Sequence, residues 1–64
     1  MKITLKAARI NAGYTQQQAA KKLNVSKDCL SNWERGKYFP YVLDLKRIEN
    51  LYGVPYDNII FLPS

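Results

Sequence analysis

Lys27, Asp28, Ser31, Asn32 and Arg35 are the residues whose types and spacing carry the most chemistry in this chain. At about 100° per residue they fall on one side of a helix running from Ser26 to Arg35, while Ser26, Cys29, Leu30 and Trp33 fall on the other. The first set offers short donors and acceptors, and the second offers an anchor for a core. A helix of this kind can lie with its polar face against base edges in a DNA major groove. The plain alternative is a solvated helix face, so the surrounding chain has to decide between them.

Size and composition narrow the choice. A chain of 64 residues has room for one domain and a small core, too little to enclose a deep catalytic cleft. Ten Lys and Arg against five Asp and Glu give a net charge of +5, which favours polyanionic partners, nucleic acid or an anionic membrane surface. One cysteine, Cys29, forms no intramolecular disulfide, and without histidine there is no zinc site and no base to activate the thiol. Cys29 therefore reads as a small buried core residue. The longest apolar run, Ile59 to Leu62, is far too short to cross a bilayer. The expectation is a soluble, intracellular, non-enzymatic protein with no cofactor, no metal and no small-molecule substrate.

The elements that would hold the polar helix follow from local signals. Leu5, Ala8 and Ala12 share one face of a first helix that starts near Ile3 or Thr4 and stops at Gly13. Thr15 is an N-cap with Gln18 completing a capping box, and the helix it opens turns Ala19, Ala20 and Leu23 inward. Asn24-Val25 makes the turn, because asparagine tolerates positive φ, and Ser26 caps the next helix, which Gly36 ends. After a loop around Pro40, the spacing of Val42, Leu45, Ile48, Leu51 and Tyr52 predicts a fourth helix inward on those residues and closed at Gly53. Pro55 is placed to open a short fifth helix carrying Tyr56, Ile59 and Ile60. No stretch alternates with period two, so the expectation is all-α: five short helices, no sheet, one domain over residues 1–64, with the helix-turn-helix at about 15–36.

The pattern Arg9, Gly13-Tyr14-Thr15-Gln16, Ala20, Leu23, Val25-Ser26 and Leu30-Ser31-Asn32-Trp33-Glu34-Arg35-Gly36-Lys37 resembles the Xre family, the helix-turn-helix domains of lambda-type phage repressors and Cro. The likeness continues through Pro40, Leu45, Ile48 and Leu51-Tyr52-Gly53-Val54. It implies a compact five-helix lambda-repressor-like fold, a cytoplasmic prokaryotic or phage-encoded regulator, and double-stranded DNA as partner, with a homodimer on a palindromic operator. By position it implies base contacts from Lys27, Asp28 and Asn32, and phosphate contacts from Gln16, Ser31, Arg35, Lys37 and Tyr38. Arg9 and Glu34 match a structural salt bridge between the first and third helices. Three residues depart from the family pattern: Ala8 and Ala19 stand where leucine is usual, and Asn24 where glycine is common. Tyr14 and Trp33 are expected to supply the volume that the alanines lack.

The implied contacts make chemical sense. Lys27 can donate to guanine O6 or N7, Asn32 can pair bidentately with adenine, and Asp28 can accept from a cytosine amine. A carboxylate among phosphates costs affinity, so Asp28 serves selectivity. The competing reading is an antitoxin or adaptor that turns the same polar face to a protein. Two further features stay open: Tyr38, Phe39 and Tyr41 either flank the DNA backbone or pack on their own domain, and Phe61-Leu62 either packs loosely or forms a dimer contact.

Overall fold

Short-range chemistry sets where the helices begin and end. In the computed structural model, which describes residues 2–61, the order is β1 (Ile3–Thr4), α1 (Leu5–Asn11), α2 (Gln16–Leu23), α3 (Lys27–Glu34), α4 (Val42–Tyr52), a single 3-10 turn (Tyr56–Asn58) and β2 (Ile59–Ile60). Thr4, Thr15 and Ser26 each precede a helix in extended conformation. Their hydroxyls accept from the backbone N–H three residues on, at 3.1, 3.1 and 3.0 Å. At Thr15 the bond is returned, with its own N–H donating to Gln18 Oε1 at 2.9 Å. Each cap satisfies a donor that the first turn leaves without a carbonyl.

Helices α1, α2 and α3 also close alike. A residue of positive φ follows each one, and its N–H and the next return to carbonyls of the last turn. After α3, Gly36 donates to Trp33 O at 3.1 Å and Lys37 to Asn32 O at 2.9 Å, the Schellman arrangement. After α2 the left-handed residue is Asn24, at φ +61°, the one non-glycine among the described residues with positive φ. Asparagine is the side chain that bears this conformation best, so the turn between α2 and α3 forms without glycine.

The described residues are mostly helical, as the sequence patterning predicts, but the fifth helix does not form. Tyr56–Asn58 make one 3-10 turn, and Ile59–Ile60 run extended beside Ile3–Thr4 as a parallel pair, Ile3 opposite Ile59 and Thr4 opposite Ile60. Pro55 withholds an N–H, and two β-branched residues in succession favour an extended backbone. Tyr56 N–H donates to Glu49 Oε2 at 2.6 Å, which folds the tail back along α4 and delivers Ile59 to the core. A strand of two residues is too short to show any alternation, so a sheet was not readable from periodicity.

The core joins Leu5 and Ala8 of α1, Ala19, Ala20 and Leu23 of α2, Leu30 and Trp33 of α3, Ile48 and Tyr52 of α4, and Ile59. Trp33 is a member of this cluster, which holds the two alanines, and the half-buried Tyr14 packs against it from outside with its ring centroid 6.4 Å from that of Tyr52. Val42, expected inward, is 69 % exposed, because the first turn of α4 projects past the edge of the core. Leu62, left open together with Phe61 between loose packing and a dimer contact, lies outside the described residues.

Candidate nucleic-acid interface

Helix α3 is held from two sides. Leu30 and Trp33 bury one face among α1, α2 and α4. At its C-terminal end Glu34, 8 % exposed, meets Arg9 of α1, 7 % exposed. Arg9 Nε donates to Glu34 Oε2 at 2.7 Å, and Nη2 lies 3.4 Å from Oε1. Arg9 Nη1 also donates to Tyr14 O at 3.0 Å, and Gln16 Nε2 donates to Glu34 Oε1 at 3.1 Å. One carboxylate thus ties α1 and α2 to the last turn of α3. A charge buried this far is tolerable only with its lone pairs satisfied, and here both oxygens are in use.

The opposite face of α3 turns outward. Lys27 and Asp28 are exposed in its first turn, where the Asp28 carboxylate also complements the helix dipole. Ser31 and Asn32 are half-buried one turn later, and Arg35 is exposed beyond the end. Arg35 Nη2 donates to Asn32 Oδ1 at 2.7 Å, so a residue assigned to bases and a residue assigned to phosphates are coupled. The bond leaves both amide hydrogens of Asn32 and one lone pair of its oxygen available. Lys37 and Tyr38 stand exposed after the helix, with Lys37 Nζ 5.8 Å from the centre of the Tyr38 ring.

Gln16 is half-buried at the start of α2, and one of its amide hydrogens goes to Glu34, leaving the other free. It lines a polar hollow of about 370 Å³ together with Ser31 and Arg35, three residues that the resemblance assigns to phosphates. Lys6 of α1 lines the same hollow and was missed by the sequence reading. No local signal marks it, since the hollow is assembled from α1, α2 and α3. Lys21 shares a second open hollow with Lys27 and Gln17 across the turn.

Two groups behave differently from expectation or stand apart. Cys29 is half-buried and not fully enclosed; burial first, and the Asp44 carboxylate second, push its thiol pKa up, away from the reactive thiolate. Tyr52 is buried, and its hydroxyl has no hydrogen-bond partner among the described residues. Burial, then the nearby Glu34 charge, raise its pKa well above the ordinary tyrosine value.

Two short helices, capped by Thr15 and Ser26 and joined through a left-handed Asn24, with the second helix locked on a core and polar on its outer face, define a helix-turn-helix domain. Residues 5–59 match the family model described as Helix-turn-helix, and the chain belongs to that family. The HTH-type transcriptional regulator ImmR of Bacillus subtilis (strain 168) is 46 % identical over 56 residues, covering 88 % of this chain and 44 % of that protein. The HTH-type transcriptional activator BcrR of Enterococcus faecalis is 36 % identical over 56 residues, 88 % of this chain and 28 % of that protein. The chain therefore spans less than half the length of these relatives. No solved structure matches it significantly.

Proposed function

We propose that residues 1–64 act as one non-enzymatic unit that binds double-stranded DNA sequence-specifically and regulates transcription in the cytoplasm, as a phage-type repressor that occupies an operator. The observation that carries this reading is the outward polar face of α3 on a helix whose other face is buried and whose end is pinned by the Arg9–Glu34 pair. Lys27, Asp28 and Asn32 are the proposed base readers. Gln16, Ser31, Arg35, Lys37 and Tyr38, joined by Lys6, are the proposed backbone contacts. The names of the two relatives support the regulatory part of the reading. Two copies on half-sites about 34 Å apart suit a unit this small, since one helix offers few base contacts.

Selection of bound sites from a random duplex library at a stated salt concentration tests it. Enrichment of a discrete motif is expected, with log affinity falling against log salt by about 0.9 for each phosphate that Lys6, Arg35 and Lys37 neutralise. Equal affinity for every duplex would remove the sequence-specific claim. The second reading, a protein-interaction module of antitoxin or adaptor type, draws on the exposed apolar stretch from Tyr38 to Leu43. Absence of DNA binding, together with salt-insensitive binding to a protein, would favour it.

A further inference from the structure

Asn32 Oδ1 accepts from Arg35 Nη2 at 2.7 Å, the short length of a charge-assisted bond. A guanidinium carries donors and no acceptor, so the arm of the amide that faces it is the oxygen, and Nδ2 is the arm that points away. The main chain fixes both ends of this bond. Arg35 N–H donates to Ser31 O at 3.0 Å, and Asn32 O accepts from Lys37 N–H at 2.9 Å within the closure of α3 at the left-handed Gly36. Arg35 is exposed and forms no ion pair among the described residues, which leaves its charge and its other donors for a partner.

We propose that Arg35 is a positioning residue that fixes the order in which Asn32 presents its donor and its acceptor, so that Asn32 selects adenine on one strand of the duplex and not on the other. A bidentate asparagine–adenine pair takes Oδ1 accepting from N6–H and Nδ2 donating to N7. Exchanging A·T for T·A reverses the order in which those two groups lie across the major groove. A free amide follows the exchange by turning about its Cβ–Cγ bond. An amide whose oxygen is held by a guanidinium follows only by giving up a charge-assisted bond and turning its own N–H groups toward a cation that cannot accept them. The held oxygen keeps a second lone pair for N6–H, so nothing of the bidentate pair is lost in the preferred order. When the other donors of Arg35 take up a phosphate, the guanidinium is fixed from both sides, and backbone contact and base reading become one event. The inference rests on the proposed function for the place of α3 in the groove, and it deepens that reading by naming the base and its orientation.

Fluorescence anisotropy on synthetic duplexes is the test. The duplexes carry the motif that the wild-type chain selects, with each of the four base pairs placed in turn at the position whose preference Asn32→Ala abolishes. The wild type is expected to favour A·T over T·A there by about tenfold or more, the discrimination of a good bidentate pair. Arg35→Ala should bind both duplexes more weakly, with a salt slope smaller by about 0.9, and should also bring the two affinities toward equality. Lys37→Ala, which removes an equal charge from a side chain with no bond to Asn32, is the control and should weaken both alike and leave their ratio unchanged. In the Asn32→Ala background Arg35→Ala should no longer move the ratio. Far-UV CD reports folding, and the Arg35 and Lys37 side chains are exposed. A ratio that survives Arg35→Ala, one that Lys37→Ala collapses as well, or a preference for guanine at that position overturns the proposal and leaves the functional reading standing. A wild type that selects no motif at all overturns the functional reading, and this inference with it.

Discussion

The two flanks of α3 are built by opposite rules. On one flank Arg9, Glu34 and Gln16 bring charge and polarity together, and each finds a partner within 3.1 Å. On the other flank Tyr38, Phe39, Tyr41, Val42 and Leu43 gather apolar surface, most of it exposed, with one covering contact where Phe39 meets Phe61 edge-on at 6.2 Å. Buried charge is costly unless every lone pair is met, so the first flank tolerates very little displacement and fixes the end of α3 in one orientation. Exposed apolar surface imposes no such geometry and is released from water only when something covers it. One flank specifies how the helix is presented, and the other stores unspent association energy.

Breaking the first flank should have the largest effect. Glu34→Ala leaves Arg9 buried without its counter-charge and is expected to lose about 3–5 kcal/mol in urea unfolding, a large share of what a domain of this size has. The double replacement Arg9→Met with Glu34→Leu should lose much less, because no orphaned charge remains. If the single and double variants are equally unstable, the pair acts through packing and the contrast between the flanks weakens. Next in size, Asn32→Ala should weaken binding by about 1–3 kcal/mol at a selected site, measured by fluorescence anisotropy, and far less on random duplex. Equal loss on both would assign Asn32 to the backbone, through Arg35. Smaller again, Ser26→Ala removes the cap of α3 and should cost about 1 kcal/mol of stability in the same urea assay.

What the sequence revealed tracks how local each interaction is. The caps at Thr15 and Ser26 and the closure at Gly36 are settled within three or four residues, and all three fall where the residue types place them. The turn at Asn24 was legible for the same reason. The Arg9–Glu34 pair spans 25 positions, so no periodicity could show it, and it entered only through resemblance to a family. The β1–β2 pairing joins Ile3 to Ile59 across nearly the whole chain, and the fold of the tail depends on Glu49 reaching Tyr56, which no local rule anticipates. Within the site, the Asn32–Arg35 bond could have been read from its three-residue spacing on a helix. The convergence of Lys6 with Gln16, Ser31 and Arg35 could not, since it takes three helices to assemble. Val42 has the inward phase yet stands exposed, because helical phase identifies a face and says nothing of where along the helix the core stops.

Tyr52 is the exception that sharpens the contrast, a buried polar group beside the satisfied pair yet without a partner of its own. Its hydroxyl has left water and gained no hydrogen bond in return, so Tyr52→Phe should be neutral or should add up to about 1 kcal/mol at neutral pH. The sign of the pH effect follows from the raised pKa. The folded state holds the proton at pH values where the unfolded chain, with a tyrosine pKa near about 10, has begun to release it. Stability from this group is therefore complete below that pH and declines above it, by about 1.4 kcal/mol per pH unit once the unfolded form is ionised. Urea titrations of wild type and Tyr52→Phe across the alkaline range should diverge accordingly, with the phenylalanine variant keeping stability that the wild type loses. Parallel curves would mean that the hydroxyl ionises as easily inside as outside, and hence that water reaches it beside Glu34. In that case the polar flank is less sealed than its geometry indicates, and the cost of removing Glu34 should fall with it.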